Sequence, residues 1–372
     1  MRQPNGAGDL RLFVEVVHHA CAAGDFDAAA AVLYNRVFRG PVAYVTRVAG
    51  AYEMALDVLT AFYPFQDLSL DPQPSSPEAR RWILHETSAC LHVLGRLSSA
   101  ALLGGRAVSA AQAAGDRHNA AISCHNLAET YLAAGALESC RSVAMESLTL
   151  ADAAGQMEDE LVARTVLGWL DDLADRDDAA EEQFARALEI AETQTSVPML
   201  YSLSGLRYAD HLAIRGRWEK AGEVAKMNLR FCRGQGWESE AALAQTQLAM
   251  TVPLPLEAAL DRVDEAVLIT RTLGAKNSLA ETLLVRATLA RRGGRHRDAQ
   301  RDLAEVLSIA RSAGYRLLEV KARSVLALVR HDQGDTAAAD AEAQLAAELS
   351  ERLGYVSGLR EATRVLHRIR QG

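Results

Sequence analysis

Aromatic residues make up only 5% of this 372-residue chain, and proline occurs only nine times. No valine- or isoleucine-rich alternating run bounded by hairpin turns occurs either, which excludes a β-sheet architecture. No stretch approaches the roughly 20 consecutive apolar residues that a membrane-spanning helix needs. The start, Met1-Arg2-Gln3-Pro4-Asn5-Gly6, lacks the apolar run of a secretion signal, so a cytoplasmic protein without a membrane partner is expected. The five cysteines (Cys21, Cys90, Cys124, Cys140, Cys232) are odd in number, lie far apart and form no Cys-x-x-Cys. That excludes a disulfide framework and a zinc knuckle and leaves them as small buried residues. Excess positive charge is also missing: the net charge is −8. A nucleic-acid partner for the chain as a whole is excluded, because phosphate binding rests on clustered Lys and Arg. The one basic run, Arg291-Arg292-Gly293-Gly294-Arg295-His296-Arg297, straddles a turn, where cations suit the C-terminal end of the preceding helix.

Catalytic motifs are missing as well. There is no Gly-x-x-x-x-Gly-Lys-Ser/Thr phosphate loop, and Gly274-Ala275-Lys276-Asn277-Ser278 lacks both the Gly-Lys pair and a preceding strand, so no nucleotide partner is expected. Neither a Gly-x-Ser-x-Gly elbow nor a Gly-x-Gly-x-x-Gly turn is present. Trp82 to His92 places His85, Glu86, Cys90 and His92 on one helix, but His85 and His92 stand about 10 Å apart along its axis at 1.5 Å per residue, too far to share a metal unaided. Cys124 and His125 point to different faces and cannot pair as nucleophile and base. The expectation is a non-enzyme with no catalytic residues, no cofactor and no metal.

Apolar residues, by contrast, are plentiful at 49%, and glycine is spaced regularly among them. Gly115, Gly155, Thr195, Gly274, Gly314 and Gly354 form one series with a step of about 40 residues, slightly irregular after Thr195. Gly95, Gly135, Asp175, Gly216, Gly294 and Gly334 interleave with it, with a degenerate unit near Pro253. Glycine suits the position where a helix ends in positive φ, so two series mean two helices per repeat. Between the turns, apolar residues return at three and four, as in Leu127, Tyr131 and Leu132.

Aligned on the second series, a small residue follows the turn by five: Ala100, Cys140, Ala180, Ala221, Ala299 and Ala339. Another precedes it by seven: Ser88, Ala128, Gly168, Ala209, Ala287 and Ala327. Small residues there let paired helices approach, with Phe184, Leu303, Leu326 and Leu167 filling the space between. The pattern in Leu127-Ala128-Glu129-Thr130-Tyr131-Leu132-Ala133-Ala134-Gly135, and in Leu167-Gly168 through Ala180, Phe184 and Ala187, resembles the tetratricopeptide repeat (TPR) family. The period of about 40 exceeds that family's usual 34 and is similar to the longer-helix arrays of bacterial signalling proteins, such as the Rap and NprR receptors and the sensor arms of STAND-type NTPases. The resemblance implies an all-α, right-handed superhelical solenoid of about eight antiparallel helix pairs that binds a protein or peptide. An alternative is a ligand-sensing arm whose effector domain lies elsewhere, and a less favoured one is a metal- or histidine-dependent enzyme using the groove histidines.

Four segments are expected: a disordered start over 1–9, an irregular helical cap over 10–78 with a Pro-rich loop at 64–77, the array over 79–356, and a capping helix over 357–372. A single helix is expected over about 42–62. In such an array the first helix of each pair, helix A, lines the concave face. Counting from each turn places His18, Trp82, His85, Glu86, His92, His125, Asn126, Glu129 and Asp210 there, along with Glu15, Glu281 and Lys321. Asn126 falls where the resemblance would place a peptide-terminus clamp, but the next repeat offers Val162 and Val166 instead of basic residues. Binding through these histidines is expected to vary between about pH 5.5 and 7.5, since free histidine titrates near 6.5.

Overall fold

The computed structural model describes residues 7–371, and no strand occurs among them. Of the start expected to be disordered, residues 1–6 lie outside the described part, and helix α1 (Ala7–Ala22) begins immediately after them. The next segment is irregular. Helix α2 (Phe26–Val32) runs into a π-helical stretch at Leu33–Phe38, a 3-10 turn at Gly40–Val42 and a second π-helical stretch at Tyr44–Val48. Arg39 and Ala43 hold φ of 58° and 48° without being glycine. The single helix expected over 42–62 is therefore broken: α3 spans only Tyr52–Thr60, after the turn at Gly50. Phe38, Phe62 and Tyr63 fill this cap with large buried side chains. The Pro-rich loop is tied down. Asp27 accepts from the Ser75 and Ser76 amides, and Arg106 donates to the carbonyls of Leu68 and Leu70.

From Pro77 the chain becomes regular. Seven pairs follow: α4 (Pro77–Val93) with α5 (Leu97–Ala113), α6 (Arg117–Ala134) with α7 (Leu137–Ala154), α8 (Met157–Leu173) with α9 (Asp177–Gln194), and α10 (Ser202–Ile214) with α11 (Trp218–Gln235). Next come α12 (Glu238–Thr251) with α13 (Leu256–Thr272), α14 (Lys276–Arg292) with α15 (His296–Ala313), and α16 (Arg316–Asp332) with α17 (Thr336–Leu353). Helix α18 (Val356–Gln371) covers the end, burying Ala362, Val365 and Ile369. From α4 onward each helix except α9 packs on its successor, and the A helices (α4, α6, α8 and so on) also pack on one another. The array is a solenoid of antiparallel helix pairs, as the sequence pattern implied.

The small-residue rule explains the pairing. All six residues of each aligned set are buried, from Ala100 to Ala339 and from Ser88 to Ala327. At Gly168 a Cβ would lie 3.0 Å from the Phe184 ring, so the pair's large residue occupies the space its small residue leaves. The expected turn glycines adopt positive φ, and of the two positions where another residue stands in the series Asp175 does the same with φ 55°. Two connections depart from the pattern. Thr195 is extended, and the chain runs on to Leu200 before α10 begins; Pro253 and Pro255 separate α12 from α13 without a left-handed residue.

The solenoid also closes on itself. Helix α16 packs against α6, and α18 against α8. Val320 and Tyr355 share a core with Ala128, Leu132, Val166 and Leu170. At the α6–α7 corner a Cβ on Gly135 would stand 2.9 Å from Arg316 Cβ. At the α4–α5 corner, Gly95 faces Ala313 and the Tyr315 hydroxyl, and near α8 Asp175 pairs with Arg360 of α18 at 2.9 Å. The cap joins the same seam, since Val48 meets Gly236 and Gly50 meets Leu273. The concave face is thus enclosed as a lumen lined by A helices.

Candidate functional site

Most of the expected groove residues line this lumen. His85 and Glu86 sit on α4, with His125, Asn126 and Glu129 on α6 and Asp210 on α10. The Asn126 amide donates to His85 Nε2 at 3.1 Å, and His85 Nδ1 stands 3.4 Å from the Ser123 hydroxyl. An amide donor on Nε2 needs its lone pair, so the ring proton belongs on Nδ1. His92 Nδ1 pairs with the Thr130 hydroxyl at 3.2 Å. Neighbouring A helices are therefore stitched together by polar groups about one repeat apart in sequence. Asn126 uses its amide within the lumen, and the departure at Val162 and Val166 stands, because both are apolar walls of α8.

Three expected residues lie elsewhere, among them Glu15, exposed on α1. His18 is at the surface of the cap, 3.2 Å from Asp57. Trp82 turns toward the cap, edge-on to Tyr34 at 5.3 Å and to Phe38 at 5.0 Å between ring centres.

Sequence spacing missed the residue at the centre. Arg207 of α10 forms an ion pair with Glu129 of α6, passing over α8 in between. Its signal was a lone arginine on an otherwise apolar stretch, Gly205-Leu206-Arg207-Tyr208-Ala209. Four buried polar atoms on these helices have no hydrogen-bond partner: Glu129 Oε1 and Arg207 Nη1 of the pair itself, His125 Nδ1, and Gln247 Oε1 from α12. His125 Nδ1 lies 3.8 Å from Glu129 Oε1, close enough for attraction and too far for a hydrogen bond. Further along the lumen Gln247 donates to Asp210 at 2.8 Å, Asn277 donates to Glu281 at 3.0 Å, and the Lys321 ammonium stands 5.8 Å from the centre of the Trp169 ring.

Enclosure sets the charge state. Burial, with the charge of His125, pushes His85 down to about 4. His92 and His125 are lowered by burial in spite of Glu129. The expectation that these histidines titrate around neutrality is corrected accordingly: an imidazolium removed from water is disfavoured. Glu86 moves the other way, raised by burial to about 7 despite the charge of Arg47. Burial opposes ionisation of Glu129 too, but Arg207 and His125 outweigh it and hold the carboxyl below its usual range. Asp210 and Glu281 are raised by burial, while Lys321, disfavoured by burial, is held above its usual value by Tyr355, Asp210 and Glu281.

The described residues contain no group of three or more His, Cys, Asp or Glu placed to hold a metal ion, and no helix long and apolar enough to cross a membrane. No protein-family profile matches the chain, and no curated protein matches it. Among solved structures it is similar to a Rap protein complexed with competence and sporulation factor, at 11% identity over 98% of each chain and a TM-score of 0.41. It is also similar to a STAND protein with a tetratricopeptide repeat sensor from Pyrococcus horikoshii, at 15% identity over 95% of this chain and a TM-score of 0.44, spanning 52% of that protein's length.

Proposed function

We propose that this chain is a non-catalytic binding scaffold whose lumen takes a short extended segment of a protein or peptide, gripped around Arg207, Glu129, His125 and Gln247. The observation that carries this reading is the presence, on three A helices and around the Arg207–Glu129 pair, of four buried polar atoms without hydrogen-bond partners. Each buried group left without a partner costs about 1–3 kcal/mol, and a ligand that offers two or three donors and one or two acceptors would recover much of that. Polypeptide backbone carries both kinds of group at every residue, and an extended strand can meet A helices spaced about 10 Å apart one after another. Carbonyls facing Arg207 and amides facing Glu129 and Gln247 would satisfy the cluster without nucleotide, nucleic acid or membrane.

A sensing role is favoured by the seam. Because α16 meets α6 and α18 meets α8, a ligand in the lumen touches both turns of the solenoid and alters how they fit. The test is selection of a displayed random-peptide library on the intact protein, with parallel selections on Arg207→Ala and on the triple change His125→Ala, Asn126→Ala, Glu129→Ala. Peptides that bind the parent and lose at least about tenfold in affinity on either variant, with melting temperature near the parent's, support the lumen. Peptides bound equally by all three place the working surface elsewhere.

A further inference from the structure

We propose that the rings of Tyr201, Phe231 and Trp237, with the Glu240 carboxylate, form a receptor for the guanidinium of an arginine side chain, and that the chain's own Arg47 occupies it in this state. The three rings form one cluster at the handover from α11 to α12. Tyr201 and Phe231 lie 4.5 Å apart, Phe231 and Trp237 5.8 Å, and Tyr201 and Trp237 6.2 Å between centres. Their exposure is intermediate, so the cluster is neither core nor free surface. Arg47 comes from the cap, far away in sequence, and its guanidinium carbon stands 4.0 Å from the Trp237 ring centre. Its Nη2 is 3.9 Å from Glu240 Oε1. A planar cation stacked on an indole face and backed by a carboxylate is a recognition geometry, and guanidinium suits it better than ammonium because it is flat and weakly hydrated.

The segment that delivers Arg47 gives a second, independent reason. It is the Tyr44–Val48 stretch of π-helix, entered through left-handed Ala43 with left-handed Arg39 a few residues upstream, an irregular backbone among the described residues. Strained backbone persists where surrounding contacts hold it, and here Val48 against Gly236 and Gly50 against Leu273 supply those contacts beside Arg47. Arg47 remains 43% exposed, so a competing arginine can approach it from solvent. Displacing Arg47 frees the cap from the α11–α12 corner and removes a positive charge that acts on Glu86 and His125 in the lumen. The receptor is separate from the Arg207–Glu129 cluster, and the two can fail independently.

The experiment titrates N-acetyl-arginine amide into the full chain and into Arg47→Ala, following the heat of binding by calorimetry, with N-acetyl-citrulline amide as the neutral isostere. Arg47→Met, which keeps the aliphatic stem, serves as a second emptied variant should alanine lower the melting temperature. Emptying the receptor is expected to tighten arginine binding at least about tenfold over the parent, with citrulline bound weakly by all forms. Adding Trp237→Ala to either variant is expected to abolish the gain. Equal arginine affinity in parent and emptied variants, equal binding of arginine and citrulline, or a gain that survives Trp237→Ala would each overturn the assignment.

Discussion

The cap and the array solve the same packing problem in opposite ways. From Pro77 onward, helix pairs approach through small residues at two fixed positions, and each pair repeats its neighbour. Before Pro77 there is no such rule: Phe38, Phe62, Tyr63 and the Trp82 ring fill an irregular space, and the backbone adopts π-turns and positive φ to accommodate them. Repetition needs only a local rule that every unit satisfies, whereas a one-off element must be shaped by large side chains against its particular neighbour. The largest expected effects should therefore differ in kind between the two regions. Phe62→Ala in the cap should cost about 3–5 kcal/mol through the cavity it leaves. Ala180→Leu or Ala299→Leu in the array should cost about 1–3 kcal/mol through overpacking. Thermal melts of all three check this, and array variants as stable as the parent would show that the small-residue positions do not set the helix spacing.

Glu86 sits between the two regions and sharpens the contrast by pH. Its carboxyl is raised to about 7 in the folded chain, against an ordinary value near 4.5, so the folded state holds the extra proton between those values. Stability from this group is present below pH 4.5 and is lost as pH rises toward 7. His85, lowered to about 4 from 6.5, acts in the opposite sense: it removes stability as pH falls from 6.5 toward 4. The two nearly cancel in the parent over the shared window. Glu86→Gln leaves only the histidine term, so its melting temperature relative to the parent should rise between pH 5 and 8, by an amount equivalent to up to about 3 kcal/mol at 1.36 kcal/mol per pKa unit. A difference that stays flat with pH would show that Glu86 is ionised throughout.

The smallest expected effect separates the seam from an ordinary turn. Gly135 and Gly155 both end helices with positive φ, 74° and 66°, so alanine strains either backbone by about 1–2 kcal/mol. Only at Gly135 would the new methyl also press on the next turn of the solenoid, whereas Gly155 has nothing within 4 Å. Gly135→Ala should therefore melt lower than Gly155→Ala by a few degrees. Equal melting temperatures would mean that the corner yields without cost.

These contrasts also mark what the sequence can disclose. Gly95, Gly135, Ala180 and the Gly168–Phe184 exchange were legible because a repeat writes the same constraint many times, and so were the lumen positions of His85, His125, Asn126 and Glu129. His18 was misplaced because the period was carried back into the cap, where it does not hold. Arg207 stayed hidden because its partner is 78 residues away across an intervening helix. The seam was hidden too: the small rotation between successive pairs is set by side-chain shape, and it accumulates over several repeats before Gly135 meets Arg316. Histidine titration was misjudged for the same reason, since enclosure rather than residue type fixes it.

Closure of the solenoid has one more consequence, for ancestry and engineering. An open array can gain or lose a unit at either end and stay intact, because no unit touches any but its neighbours. Here Gly95 touches the Ala313–Tyr315 corner, and Asp175 touches Arg360, so each early unit has an appointed partner about five units later. Inserting or removing one 40-residue pair in the middle would put every such partner out of phase at once. The number of units is therefore fixed by the circumference, as the number of staves is fixed in a barrel.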